Sequence, residues 1–136
     1  MRVSYWRMDG AMITVNFAAA QDNVILYPDL IKVDVSMETG AVVGLEASGY
    51  LANHRVRDLP APAFTPEEAK QMADSRLTLG TTRLCVIPRD GEGEAYCYEI
   101  GAWQGEDKYL IYINAMTGEE EEVLRIMEDQ NGEVAA

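Results

Sequence analysis

The side chains that could do chemistry in this chain are one histidine, two cysteines and several groups of carboxylates. His54 is the single histidine, so a His-pair metal site and an H-E-x-x-H helix are excluded. A Ser-His-Asp triad needs only one histidine, but no G-x-S-x-G elbow accompanies it. His54 follows Tyr50-Leu51-Ala52-Asn53 and is expected to be structural or merely exposed. Cys85 and Cys97 flank a Gly-rich stretch and make no C-x-x-C motif. If that turn centres on Gly91, the two thiols face each other across a hairpin within bridging reach. They are expected as two buried, reduced thiols because the pairing register is not fixed by the sequence, with a regulatory disulfide as the open alternative that no other sequence feature supports. Residues 119–122 are four consecutive glutamates; on a hairpin corner they stay hydrated and repel, whereas acid–base catalysis needs one desolvated carboxyl beside a solvated one. Asp90, Glu92 and Glu94 imitate the first acids of a calcium loop, yet Ala95 stands where its glycine belongs and Gly101 where its final glutamate belongs. No G-x-x-x-x-G-K or strand-bound G-x-G-x-x-G is present. No catalytic, cofactor-binding or metal-ligating residue is expected.

The chain has 136 residues, with 23 acidic and 11 basic side chains and a net charge of −12. That excess argues against nucleic acid and against anionic lipid as partners, because there are few cations to displace counterions. Tyr5, Trp6, Tyr27, Tyr50, Tyr96, Tyr98, Trp103, Tyr109 and Tyr112 therefore belong to sheet core and cross-strand pairs rather than to a base-stacking platform. Trp103, in an expected loop over 101–105, is the aromatic best placed to anchor a partner. A content of 48% hydrophobic and 25% charged residues fits a globular domain rather than an acidic tail. No apolar run reaches the ~20 residues of a membrane span, and residues 1–10 lack a signal-peptide h-region. The fragment is expected to be soluble.

Two segments position whatever these residues do. Residues 31–40 (I-K-V-D-V-S-M-E-T-G) and 109–118 (Y-L-I-Y-I-N-A-M-T-G) are both alternating apolar strands that end in Thr-Gly. Ile31, Val33 and Val35 share one face, as do Tyr109, Ile111 and Ile113, which predicts half-buried antiparallel strands. Gly40 and Gly118 supply the positive φ of the turns, and return strands follow over 41–48 and 121–128. Upstream, 3–8 and 11–18 form one hairpin, and 83–88 and 95–100 form another. Connections over 19–29 and 101–108 complete two four-stranded meanders. The predicted class is α+β, with a first repeat over 1–53, a proline-containing linker over 54–64 and a second repeat over 65–136.

Thr65-Pro66-Glu67-Glu68 predicts a helix start: Thr65 as cap, Pro66 in the first turn, Glu68 closing a capping box. Ala69, Met72, Ala73 and Leu77 share one face of that helix, placed over 66–74 and ending before Gly80. The first repeat has no such helix, so Met1 is expected to begin an excised fragment, its sheet otherwise left uncovered. An uncovered sheet also predicts self-association into a homo-oligomer.

With these elements in place, the capped helix, the hairpin and the strand entering Tyr112-Ile113-Asn114-Ala115-Met116-Thr117-Gly118-Glu119 resemble the PepSY domain, which ends in an apolar strand followed by D/N-A-x-T-G-E. More distinctive are 22–33 (D-N-V-I-L-Y-P-D-L-I-K-V), Gly49-Tyr50-Leu51-Ala52-Asn53-His54 and Arg57-Asp58-Leu59-Pro60, which resemble the C-terminal region of YpeB-type spore germination proteins. The likeness runs over essentially the whole chain. It implies a non-enzymatic, protease-inhibitor-like regulatory module that stabilises, localises or restrains a spore-cortex-lytic hydrolase. It also implies an extracytoplasmic setting at the spore inner membrane and cortex, with the membrane segment outside this fragment. The first repeat keeps only the Thr-Gly of the signature. Two other functional classes remain open, a small ligand-binding module and a carboxylate-based glycan-processing enzyme.

Overall fold

The computed structural model describes the backbone of residues 1–91, 93–129 and 132–135, and side chains through Met127 apart from residue 92. The acid-loop reading of 90–94 thus falls partly outside the described residues. The chain divides into two compact units, Met1–Val56 with Met127–Val134, and Arg57–Ile126.

In the first unit, β1 (Arg2–Asp9), β2 (Met12–Gln21), β3 (Val24–Ser36) and β4 (Val42–Glu46) form an antiparallel meander, followed by helix α1 (Ser48–Asn53). The expected connection over 19–29 is strand instead. Gln21 pairs with Val24, and Asp22 and Asn23 take φ of 50° and 68° between them. Positive φ at both central residues is the requirement of a type I′ hairpin, which Asp and Asn tolerate better than other side chains. The return strand is shorter than expected, because Glu46 accepts the Ser48 amide at 2.6 Å and turns the chain into α1. One irregularity matters most: Ala18 pairs with Leu30 and the adjacent Ala19 with Leu26, so Tyr27, Pro28 and Asp29 bulge out of the ladder. Proline has no N–H to offer the neighbouring strand, so the ladder breaks around Pro28.

In the second unit, α2 (Pro66–Gln71) precedes the meander of β5 (Thr78–Pro88), β6 (Glu94–Gln104), β7 (Asp107–Asn114) and β8 (Glu120–Asp129). Strand β9 (Gly132–Ala135) belongs through Val134 to the first unit, where Gly132 pairs with Arg7 of β1. The capping box forms as expected: Thr65 Oγ1 accepts the Glu68 amide and Glu68 Oε1 accepts the Thr65 amide, both at 3.1 Å. The helix is shorter than 66–74. Asp74 Oδ1 accepts the Arg76 amide at 2.9 Å, an Asx turn that competes with further helix. Gly80 consequently lies within β5, and Trp103 within β6 rather than in a loop. The Trp103 ring lies against Gly80, where a Cβ would come within 2.5 Å of Cζ3, while Lys108 Nζ sits 5.8 Å from the ring centroid. Trp103 keeps 38% exposure, packed on one face rather than free.

Ala69 and Ala73 press onto Tyr98, Ile100, Ala102, Ile111, Ile113 and Ala115, with Phe64 and Leu77 at the margin. Ala69 on the helix and Ala73 just after it are small, which lets this short helix and the turn that follows it approach the strands closely. Ile31, Val33 and Val35 of the first meander are only half-buried by contrast. Replacing Thr65 with Ala should cost about 1 kcal/mol, the value of a helix cap, read as a drop of a few degrees in Tm by calorimetry. Thr65→Ser should retain most of it.

Candidate functional site

The distinctive motifs of the first unit meet at the β3 bulge. Looping out three residues leaves the Pro28 carbonyl and the Asp29 carboxylate off the ladder, and α1 folds back over them. Asn53 Nδ2 donates to the Pro28 carbonyl at 3.2 Å and to the Gly49 carbonyl at 3.0 Å. Gly49 lies so near the bulge that a Cβ would stand 3.3 Å from the Pro28 oxygen and 3.5 Å from that of Leu30, a close fit that any side chain there would tighten. His54 closes the clasp. Its amide caps α1 on the Tyr50 carbonyl, its Nδ1 lies 2.9 Å from Asp29 Oδ2, and its ring stacks on Tyr50 with centroids 4.3 Å apart.

Asp29 is completely buried, whereas 40% of the His54 side chain is exposed. A carboxylate taken out of water needs hydrogen bonds to offset desolvation, and the imidazole supplies one. An Asp–His pair also orients the base in a hydrolytic triad. Among the described residues the partners of the ring are Asp29 and Tyr50, neither of which is a serine or cysteine nucleophile. The histidine, expected as structural or merely exposed, fastens two stretches of chain to each other.

A second cluster organises the turn after β7. Asn114 Oδ1 accepts the amides of Met116 and Thr117 at 2.9 and 3.0 Å, and its Nδ2 donates to Glu121 at 3.0 Å. Arg89 reaches the same Glu121 oxygen at 2.9 Å. Gly118 has φ of +78°, with Met72 Sδ 3.0 Å from where a Cβ would be. The expected linker is tied down here: Ala63 donates to the Ala115 carbonyl at 2.9 Å, Tyr98 donates to the Phe64 carbonyl, and Arg57 grips Glu94 through two bonds of 2.8 and 2.9 Å. Of the glutamate run, Glu121 is drawn inward. The Arg89 guanidinium, then the Asn114 amide, hold its carboxyl below the usual range, opposite to what a general acid requires. Glu119, Glu120 and Glu122 are exposed.

A third group escaped the sequence reading. Glu99 is buried; it accepts Arg83 Nε at 2.6 Å and the Tyr112 hydroxyl at 2.7 Å. Only its juxtaposition with Arg83 and Tyr112 through the strand register reveals the network. Among the described residues, no three His, Cys, Asp or Glu side chains gather as metal ligands would, and no helix is long and apolar enough to cross a membrane.

A family model described as "YpeB sporulation, PepSY1 and PepSY2 domains" matches residues 1–60, the stretch that contains the clasp. The chain is 41% identical over 112 residues to Sporulation protein YpeB of Halalkalibacterium halodurans, covering 82% of this chain and 25% of that protein. It is 34% identical over 111 residues to Sporulation protein YpeB of Bacillus subtilis, with the same shares of 82% and 25%. It thus spans about a quarter of the length of the curated relatives it matches. The solved Bacillus megaterium YpeB C-terminal domain superposes with a TM-score of 0.82 at 34% identity, covering 93% of this chain and 57% of that one.

Asn53→Ala removes the bond that crosses the clasp to Pro28 and the one within α1 to Gly49, and should cost about 1–2 kcal/mol, measured by urea unfolding. Acid should loosen the second cluster: with its pKa depressed in the fold, Glu121 contributes stability above its unfolded value of 4.5 and loses it as pH falls through the lower folded value. Glu121→Gln should accordingly flatten part of the decline in Tm on acidification below about pH 5.

Proposed function

This chain is a PepSY-domain protein resembling the C-terminal region of the YpeB sporulation proteins, and from that premise we propose that it acts by contact, as a non-catalytic module that holds a spore-cortex-lytic hydrolase in place or in check. The observation that carries the reading is the clasp. The motifs that distinguish this chain, around Pro28–Asp29 and Gly49–His54, satisfy each other's polar groups instead of presenting them to a substrate. They shape a scaffold.

What the scaffold offers to a partner is apolar and open. β4 pairs with β3 within its unit and exposes Val42, Val43 and Leu45 at 65%, 60% and 70%, and α1 exposes Leu51 at 80%. An edge strand with free backbone groups and apolar side chains is a surface for strand addition or for docking of a partner's apolar segment. The setting we propose is extracytoplasmic, at the spore membrane and cortex where such a hydrolase works. A second copy of the chain is the competing occupant of the same surface.

Sedimentation or calorimetric titration of the folded chain against the cognate cortex-lytic hydrolase tests this. A complex with Kd at or below about 1 μM is expected, weakened about tenfold or more by Leu45→Asp with Leu51→Asp, substitutions at exposed sites that should leave Tm nearly unchanged. Absence of a complex at tens of micromolar, with the protein folded, overturns the proposal. Light scattering of the chain alone distinguishes self-association, which the same pair of substitutions should abolish.

A further inference from the structure

Cys85 and Cys97 stand directly opposite each other on β5 and β6. Both are free thiols with 0% exposure. Opposed residues of an antiparallel pair have Cα atoms about 5.5 Å apart when hydrogen-bonded and about 4.5 Å apart when not. Disulfides span Cα separations of about 4.4–6.8 Å, so either kind of pair lies within range and no strand has to move far. The neighbours add meaning to the placement. On its other side Cys97 is opposite Asn114, the residue that organises the N-A-x-T-G-E turn, and at the end of the same hairpin Arg89 anchors Glu121.

We propose that Cys85 and Cys97 form a redox-closable staple, an intramolecular disulfide that fastens the β5–β6 hairpin beside the PepSY turn when a low-molecular-weight disulfide is available as oxidant. One thiolate attacks a sulfur of the oxidant, forming a mixed disulfide and expelling one small thiolate. The second cysteine thiolate then attacks the protein sulfur of that bond and expels the other. Two electrons pass from the cysteine pair to the oxidant, and the two cysteine protons end on the two small thiols.

The fold also sets when this can happen. Burial, reinforced by Glu99, pushes the Cys85 thiol well above its ordinary value. Burial, with Glu121 adding to it, raises Cys97 to about 12. Thiolate is the attacking species, so the closed hairpin protects its own dithiol, and closure belongs to the folding chain or to transient opening of β5 from β6. Once formed, the bond limits the freedom of the unfolded state rather than adding contacts to the folded one.

The full chain, reduced and denatured, is refolded with oxidised glutathione at pH 8, and a parallel sample receives the same oxidant after folding. Expected in the refolding sample is loss of about 2 Da, with Cys85 and Cys97 joined in one peptide pair, and a Tm at least about 5 °C above the reduced protein. The folded sample should react about tenfold more slowly or less. Cys97→Ser, refolded likewise, should show no 2 Da loss. Persistent free thiols after oxidative refolding, glutathione adducts without the intramolecular bond, or a closed form that melts below the reduced one would each refute the staple; equal rates in the two samples would refute its gating by the fold.

Discussion

A missing hydrogen-bond donor organises the first unit. Because Pro28 cannot donate to β2, the β2–β3 ladder breaks and three residues leave it. Their polar groups must then find other partners, since a buried carbonyl or carboxylate left unpaired costs as much as several good contacts provide. Helix α1 is the answer to that demand. It has no buried residue of its own and no side-chain cap on its N-cap residue, and at six residues it could not persist in isolation. Asn53, Gly49 and His54 hold it in place because the bulge needs them, so bulge and helix each exist by virtue of the other.

Much of the architecture was legible because alternation and turn chemistry are local signals. The β7–β8 turn with Gly118, the capping box at Thr65 and the opposition of Cys85 to Cys97 all follow from spacing along a few residues. The bulge was not legible for the same reason. A proline and an aspartate inside an apolar run look like loop residues, and the strand that resumes beyond them is recognised only when β2 is laid alongside. Nor could Ser48–Asn53 be read as a helix. Its sequence has little periodicity, and its stability comes from partners more than twenty positions away. Trp103 and Gly80 repeat the lesson at one contact, each looking like a loop residue until the other is beside it.

Charge follows a similar division. The acid excess is large over the whole chain, yet the arginines are not spread as counterweights. Arg57, Arg83 and Arg89 pair with Glu94, Glu99 and Glu121 respectively; Arg83 and Glu99 face each other across the β5–β6 ladder, while the other two pairs join segments that no ladder pairing brings together. Arg57 with Glu94 is the most enclosed, at 5% and 18% side-chain exposure, and it secures a stretch of chain that has no ladder bonds. Exposed ion pairs stabilise little, so the worth of the half-exposed Arg89–Glu121 pair lies in saying which carboxylate belongs where. The remaining acids stay hydrated and give the surface its sign.

The bulge also changes which positions of β3 face which way. On β2 the residues Val15, Phe17 and Ala19 share a face, and their partners on β3 are Val33, Ile31 and Leu26, odd-numbered on one side of Tyr27–Asp29 and even-numbered on the other. A single apolar surface thus continues through a change of parity in the sequence. Gain or loss of one codon within this tripeptide would turn one half of β3 inside out against β2, while gain or loss of two would keep both halves in phase. The reading frame of the sheet, as distinct from that of the gene, is counted in twos, and this short segment is where the count is kept.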